Sequence, residues 1–277
     1  MSITPSSDPG LGYAALTAAG QVRMHNEDAL LCCPQLRLWA VADGMGGHRC
    51  GEVASALALE TLRRRIARGQ DLRSAVLGAS AAVLAAAEAE EGRRGMGTTL
   101  VAVRFAGADF QLAWVGDSRA YRIKAGSIQQ LTHDHSWAQA MIDAGQLTPE
   151  QANCHPLRNV VTRCLGQSEA LEVALVQGRL GHGELLLLCS DGLTRELSDA
   201  QIRQLCARAA TLDILVDSLV ETANRMGGSD NISCIVLGLT SPPPAQAAAE
   251  RPRSFPPQIV EIRKEVIGAR LHERQRA

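Results

Sequence analysis

The chain has 277 residues, 46% of them hydrophobic and 21% charged, with a formal net charge of −1. That balance suits one large globular domain or two small ones, and it carries no global field that would point to nucleic acid or an anionic membrane as a partner. Aromatic residues make up 3% of the chain, which predicts a mostly aliphatic core.

The amino-terminal MSITPSSDPG has no basic region followed by an apolar stretch, so no signal peptide is expected, and no segment reads as a membrane span. The eight cysteines form no CxxC pair. Cys32 and Cys33 are adjacent, and Cys189, Cys206 and Cys234 sit in apolar runs. A reduced, cytoplasmic setting is expected rather than a zinc site or a disulfide framework.

In chain order, short apolar runs bounded by Gly, Asp or Asn predict strands at 11–17, 28–33 and 37–42. A helix over 51–68 follows, with Leu59, Leu62 and Ile66 on one face. A second, over 71–90, is capped by Asp71 and striped by Leu72, Val76, Val83 and Ala87. Strands are expected at 98–105, 110–115 and 119–124, then an irregular, partly helical insertion over 132–168. Inside it, Thr148-Pro149-Glu150-Gln151 reads as a helix start with proline in the first helical position. After a strand at 184–189, Ser198 and Gln201 form a capping box for a helix running through Cys206. The helix at 212–226 has Leu212, Leu215, Val216, Leu219, Val220 and Ala223 in register and ends at Gly227. A last strand occupies 232–239.

Strands come in groups and helices in pairs, which predicts an antiparallel α+β protein rather than a doubly wound parallel sheet. After Thr240, the Pro- and Ala-rich SPPPAQAAAERPRSFPP reads as a linker. Residues 258–276, with Ile259, Ile262, Val266 and Ile267, read as a short amphipathic helix or a disordered tail. The domain is therefore expected over 1–240, with 241–277 as an appendage.

One feature recurs. Asp43 follows LWAVA, Asp117 follows LAWVG, Asp191 follows LLLLCS, and Asp230 precedes ISCIVLGL, while Glu27 and Asp28 open another strand. These six carboxylates have few basic residues close to them in sequence. If they converge, they cannot all stay ionised without cations. Oxygen-only ligands select hard ions, Mn²⁺ or Mg²⁺, over zinc. Two such ions about 3.5–4 Å apart can share a carboxylate and activate a bridging water. Gly44 would let the backbone offer a carbonyl there. A single Asp-Gly after a strand is ordinarily a turn; the repetition is what points to a metal centre. Arg23, four residues before Glu27, has the planar fork that suits a phosphate.

Other motifs carry less. GRRGMGTT (92–99) has the glycine spacing of a phosphate loop without its lysine and reads as a turn into a strand. Structural roles, or roles in the 132–168 insertion, are expected for His133 and His135. A structural role is also expected for His155.

The blocks GQVRMHNEDAL, VADGMGGHRCGEVAS, GTTL, VGDSRAY, LTHDHS, HPLRNVVTRCLG, LLLCSDGLT and GGSDNISCIV resemble, in order, those of the metal-dependent protein phosphatases (the PPM or type 2C serine/threonine phosphatases) in their bacterial form. The resemblance implies two antiparallel sheets packed face to face between paired helices, a four-layer α-β-β-α arrangement. It implies hydrolysis of phosphoserine and phosphothreonine on proteins by a metal-bridging hydroxide, with no phosphoenzyme. It implies two Mn²⁺ or Mg²⁺ ions bridged by Asp43, with Glu27 and the Gly44 carbonyl on one side and Asp191 and Asp230 on the other. Asp28 would stand behind them, Arg23 would hold the substrate phosphate, and Asp117 would serve a third, weaker ion. Residues 132–168 would be the flap. Eukaryotic relatives carry His directly after the Asp-Gly; here Met45 stands there and His48 follows, so His48 is a candidate for protonating the leaving group, ordering a water or capping the next helix. Expected partners are phosphorylated proteins marked by a cognate Ser/Thr kinase, and a monomer is expected. Two other functions fit the same residues: a non-catalytic phosphoprotein-sensing relative, and a dimetal hydrolase of small phosphate esters.

Overall fold

The structure, a computed structural model, describes residues 10–46, 50–89, 95–167 and 170–239. The expected linker and tail after Thr240 lie outside the described residues. Among the described residues, eleven strands form two antiparallel sheets. The first contains β1 (Leu11–Ala18), β11 (Ile232–Leu239), β10 (Leu185–Cys189), β7 (Arg119–Lys124) and β8 (Ser127–Gln130), in that order across the sheet. The second runs β2 (Asp28–Cys33), β3 (Leu38–Met45), β5 (Leu100–Ala106), β6 (Asp109–Val115) and β9 (Ala174–Arg179), with the two-residue β4 (Gly97–Thr98) on the end of β3.

Strand alternation builds three layers of core. Trp39 and Val41 of β3 face the opposite sheet and meet Ile235 and Leu237 of β11, Leu186 and Leu188 of β10, and Phe105, Phe110 and Leu112. The intervening Leu38, Ala40 and Ala42 face outward, under α1 (Cys50–Ala67) and α2 (Leu72–Ala89), where Leu59, Leu62, Ile66, Val76 and Val83 cover them. On the far side, Tyr121, Leu187, Cys234 and Val236 are covered by α5 (Asp191–Glu196), α6 (Asp199–Arg208) and α7 (Leu212–Met226). A period-2 strand buried on both faces has no polar face to give up, which is why these strands read as continuous apolar runs. Each fully buried leucine stabilises the fold by about 1.5–3 kcal/mol. The core is mostly aliphatic, yet several of the few aromatics pack in a row between the sheets, tilted or edge-on to one another: Tyr13 against Trp39 at 5.6 Å, Trp39 against Phe105 at 6.0 Å, and Phe105 against Phe110 at 5.8 Å between ring centroids.

The helix signals behave as their chemistry predicts. Asp71 Oδ1 accepts the Ser74 N–H ahead of α2. Ser198 and Gln201 close a reciprocal capping box on α6, and Gly227 terminates α7. In the 132–168 insertion, α3 (Trp137–Asp143) and α4 (Pro149–Asn153) are short, and Thr148 with Gln151 also forms a capping box.

Four expectations need correction. Two strands, β8 and β9, were not expected: β8 is a sheet edge with no apolar run, and the short apolar start of the edge strand β9 gives way to Gln177, Gly178 and Arg179. The expected strand 98–105 is broken at Thr99, whose N–H bonds the Asp43 carbonyl instead of continuing one ladder. The six-residue α5 is too short to show a period. Finally, α2 is, by length and composition, apolar enough to cross a membrane, with a mean hydropathy of 1.3 over 18 residues. In the fold its Leu72, Val76, Ala79 and Val83 are buried in the helix-covered core of the second sheet.

Candidate active site

Strand register brings the six carboxylates to one end of the sandwich. Asp28, first in β2, is directly opposite Asp43 of β3. Arg119 pairs with Cys189 in antiparallel register, so Asp117, two residues before β7, and Asp191, two residues after β10, lie at the same end. Asp230 arrives on the turn before β11. Asp43 lies within electrostatic reach of Asp28, Asp191, Asp117 and Asp230, and Glu27 within reach of Asp230.

Close backbone approaches hold this end together. A Cβ on Gly192 would fall 2.0 Å from the Asn231 carbonyl oxygen, so only glycine lets the first turn of α5 bring Asp191 beside Asp230. A Cβ on Gly44 would fall 2.1 Å from the Gly51 carbonyl oxygen, so the structural demand for glycine there comes from α1 docking on β3. Thr98 Oγ1 donates to the Asp43 carbonyl at 2.9 Å, while Asp43 N–H donates to Thr99 Oγ1 at 3.1 Å. The GTTL block therefore clamps the backbone of Asp43 from both sides.

Asn231 was not singled out by sequence. Its Oδ1 accepts the Glu27 N–H at 2.8 Å, and its Nδ2 donates to the carbonyls of Ala19 and His25 at 3.0 and 2.9 Å. One buried amide thus shapes the whole loop that carries Arg23 and Glu27. Its only sequence signal was its position next to Asp230. Ser190 was also missed: its Oγ donates to Asp28 Oδ2 at 2.7 Å.

The crowding raises the carboxylates. Asp43 is pushed well above the usual range by burial and then by the charges of Asp28, Asp191, Asp117 and Asp230. Burial lifts Asp28 to about 7 against hydrogen bonds from Ser233 and Ser190. Burial, then Asp191 and Asp134, lifts Asp117 to about 8. Asp191 is raised by burial although Arg195 opposes it.

Arg195 corrects the view that few basic residues lie near these carboxylates. One helical turn past Asp191, its Nη2 bonds Asp191 Oδ2 and its Nη1 donates to Asp230 Oδ2 at 2.5 Å. Arg23 sits on the other side of Asp230, with Nε 2.8 Å from Oδ1 and Nη2 donating to Oδ2 at 3.0 Å. Its side chain is 54% exposed, which places it at the mouth of the cluster. His48 lies outside the described residues. Three other histidines are occupied elsewhere: His133 pairs with Asp143 at 2.7 Å, His135 Nδ1 accepts the Gly116 N–H and its ring stacks on Trp114, and His155 stacks on Trp137.

The donors suit hard divalent cations. They are all oxygen, and Asp28 Oδ1, Asp117 Oδ1 and Asp191 Oδ1 are buried without a hydrogen-bond partner. Among the described residues no three acidic, His or Cys side chains close around a single point. Any ion here would take side-chain oxygens in smaller sets and complete its shell from backbone or solvent.

Residues 18–232 match the family model described as Protein phosphatase 2C. The chain is 40% identical over 235 residues to the serine/threonine protein phosphatase PstP of Mycobacterium tuberculosis, a match that spans 82% of this chain and 44% of that protein, so the chain covers less than half of that relative's length. It is 35% identical over 234 residues to the serine/threonine phosphatase stp of Listeria innocua, covering 80% of this chain and 93% of that one. Among solved structures, the catalytic domain of PstP in complex with two manganese ions superposes with a TM-score of 0.75 at 36% identity, over 83% of this chain and 99% of that chain.

Proposed function

The chain belongs to the protein phosphatase 2C family, and on that premise we propose that it hydrolyses phosphoserine and phosphothreonine on other proteins by direct attack of an activated water on phosphorus. The observation that carries this reading is the buried carboxylate cluster, with its three unpartnered oxygens, opening onto the exposed fork of Arg23.

Two divalent cations, when bound, would supply Lewis acidity and water activation at neutral pH. Asp43 would lie between them, with Glu27 and the Gly44 carbonyl on one side and Asp191 and Asp230 on the other. Asp28, tethered by Ser190, would back this set, and Asp117 would serve a third ion. The similar manganese-bound structure favours Mn²⁺ here, and Mg²⁺ shares the same preference for oxygen.

Arg23 would turn from Asp230 to the substrate phosphate, orient it by two parallel hydrogen bonds and offset charge on its equatorial oxygens. The insertion over 132–168 would border the substrate. It is tied to the cluster by the Thr98–Leu165 bridge, since Thr98 also holds the Asp43 carbonyl. His48 retains the three roles that the sequence allows. Substrates would be targets of a Ser/Thr kinase acting in the same cytoplasmic compartment, on a monomeric enzyme; the eight free cysteines fit a reducing setting.

The test is hydrolysis of a phosphothreonine peptide by the purified chain, in EDTA and then with Mn²⁺, beside Asp191→Asn. Metal-dependent turnover that disappears in the variant supports the reading. A folded chain silent with every divalent ion would favour a phosphoprotein-sensing role. Equal turnover of free phosphoserine and phosphopeptide would favour a small-ester hydrolase.

A further inference from the structure

Arg195 occupies a position that the proposed chemistry does not use. Its guanidinium spans Asp191 Oδ2 and Asp230 Oδ2, the two carboxylates assigned above to one cation. Helix geometry makes this grip built-in, because residues four apart on α5 face the same way.

Three of the pair's four carboxylate oxygens are already engaged. Asp230 Oδ1 accepts from its neighbour's backbone, Asn231 N–H, at 2.9 Å and lies 2.8 Å from Arg23 Nε. Its Oδ2 accepts from both Arg23 and Arg195. Asp191 is 8% exposed, with Oδ2 committed to Arg195 and Oδ1 without a partner. A divalent ion bridging these two carboxylates can take the free Asp191 Oδ1, but on Asp230 both oxygens are held, Oδ2 by the Arg195 guanidinium, and the two cations would repel each other at that range. Among the described residues, no hydrogen bond joins Arg195 to Glu27 or Gly44.

We propose that Arg195 is an internal counter-cation that a divalent ion at the Asp191–Asp230 pair must displace. The inference rests on the reading that this pair holds a cation. Two consequences follow from competition for the same oxygens. The ion at this pair binds more weakly than the pair's carboxylates alone would allow. Without divalent ions, the guanidinium keeps the carboxylates from repelling one another.

Calorimetric titration of the chelator-treated chain with MnCl₂ tests this, comparing wild type with Arg195→Gln and Arg195→Lys. Arg195→Gln is expected to tighten one Mn²⁺-binding step on the order of tenfold, within the usual range of coupling between two binding events, and to change the other step less. Lysine is a point charge that cannot fork two carboxylates, so Arg195→Lys falls between the two. In EDTA, Arg195→Gln melts below wild type. Equal or weaker Mn²⁺ binding in both variants overturns the proposal. If neither wild type nor variants take up Mn²⁺, the reading of Asp191 and Asp230 as a cation pair fails and the proposal falls with it. Should Arg195→Gln not fold, the wild type decides: phenylglyoxal must label Arg195 faster with Mn²⁺ than in EDTA, and equal rates overturn the idea.

Discussion

Asn231 and Glu27 are 204 positions apart, yet the side chain of one accepts the backbone N–H of the other at 2.8 Å. The same amide donates to the carbonyls of Ala19 and His25. Asn231→Ala leaves three backbone groups without their partner, each costing about 1–3 kcal/mol when buried. Urea unfolding of this variant is expected to show a loss of at least ~2 kcal/mol. A change below about 0.5 kcal/mol would mean that the loop is held by other contacts.

Arg23 lies on Asp230 and reaches solvent. Hydrogen bonds to charged groups contribute about 1.5–3 kcal/mol, so Arg23→Ala is expected to raise KM for a phosphopeptide by roughly tenfold or more while kcat changes less. Steady-state kinetics checks this. A large fall in kcat at constant KM would show that the fork acts only in the transition state.

Asp43→Asn separates function from stability. Its carboxyl is raised by burial and by four neighbouring aspartates, so its charge opposes folding when no cation is present. The variant is expected to lose at least ~100-fold in turnover, more than a merely supporting residue would cost, yet to melt no lower than wild type in EDTA. Differential scanning calorimetry beside the peptide assay reads both outcomes.

His135 predicts a pH dependence outside the carboxylates. Burial, then the charge of Arg163, holds its imidazole below the ordinary 6.5. The ring must be neutral for Nδ1 to accept the Gly116 N–H at 3.1 Å. The folded state therefore binds this proton less readily than the unfolded state. The stabilisation is fully present above the unfolded value near 6.5 and is lost as pH falls through the lower folded value. Thermal unfolding between pH 7 and 5 should show a smaller drop for His135→Asn, whose amide oxygen can accept the same bond at any pH. Parallel curves would assign the acid sensitivity to other groups.

The readable parts of this molecule were those encoded within a few residues. Leu215, Val216, Leu219 and Val220 announced α7 by their spacing and are all buried. Ser198 with Gln201, and Thr148 with Gln151, announced helix starts because a capping box is a contact between positions three apart. The apolar strands were legible because both of their faces are covered. The edge strands β8 and β9 were not, since β8 is polar and only the first three residues of β9 are apolar, and α5 was not, since six residues hold fewer than two turns.

For the site, the carboxylates that gather at one end of the fold were marked locally in the sequence. Asp43, Asp117, Asp191 and Asp230 each sit where an apolar run begins or ends, and that local signature needs no knowledge of the partner. Only the tertiary structure decided which positive charges meet them. Arg195 is one turn from Asp191, but its bond to Asp230 depends on Gly192 letting α5 touch Asn231. Arg23 meets Asp230 because Asn231 ties the loop between β1 and β2 to the start of β11. Helical periodicity and caps act over three or four positions, whereas these ion pairs follow from strand register and close backbone approach between segments far apart in the chain, which no local pattern specifies.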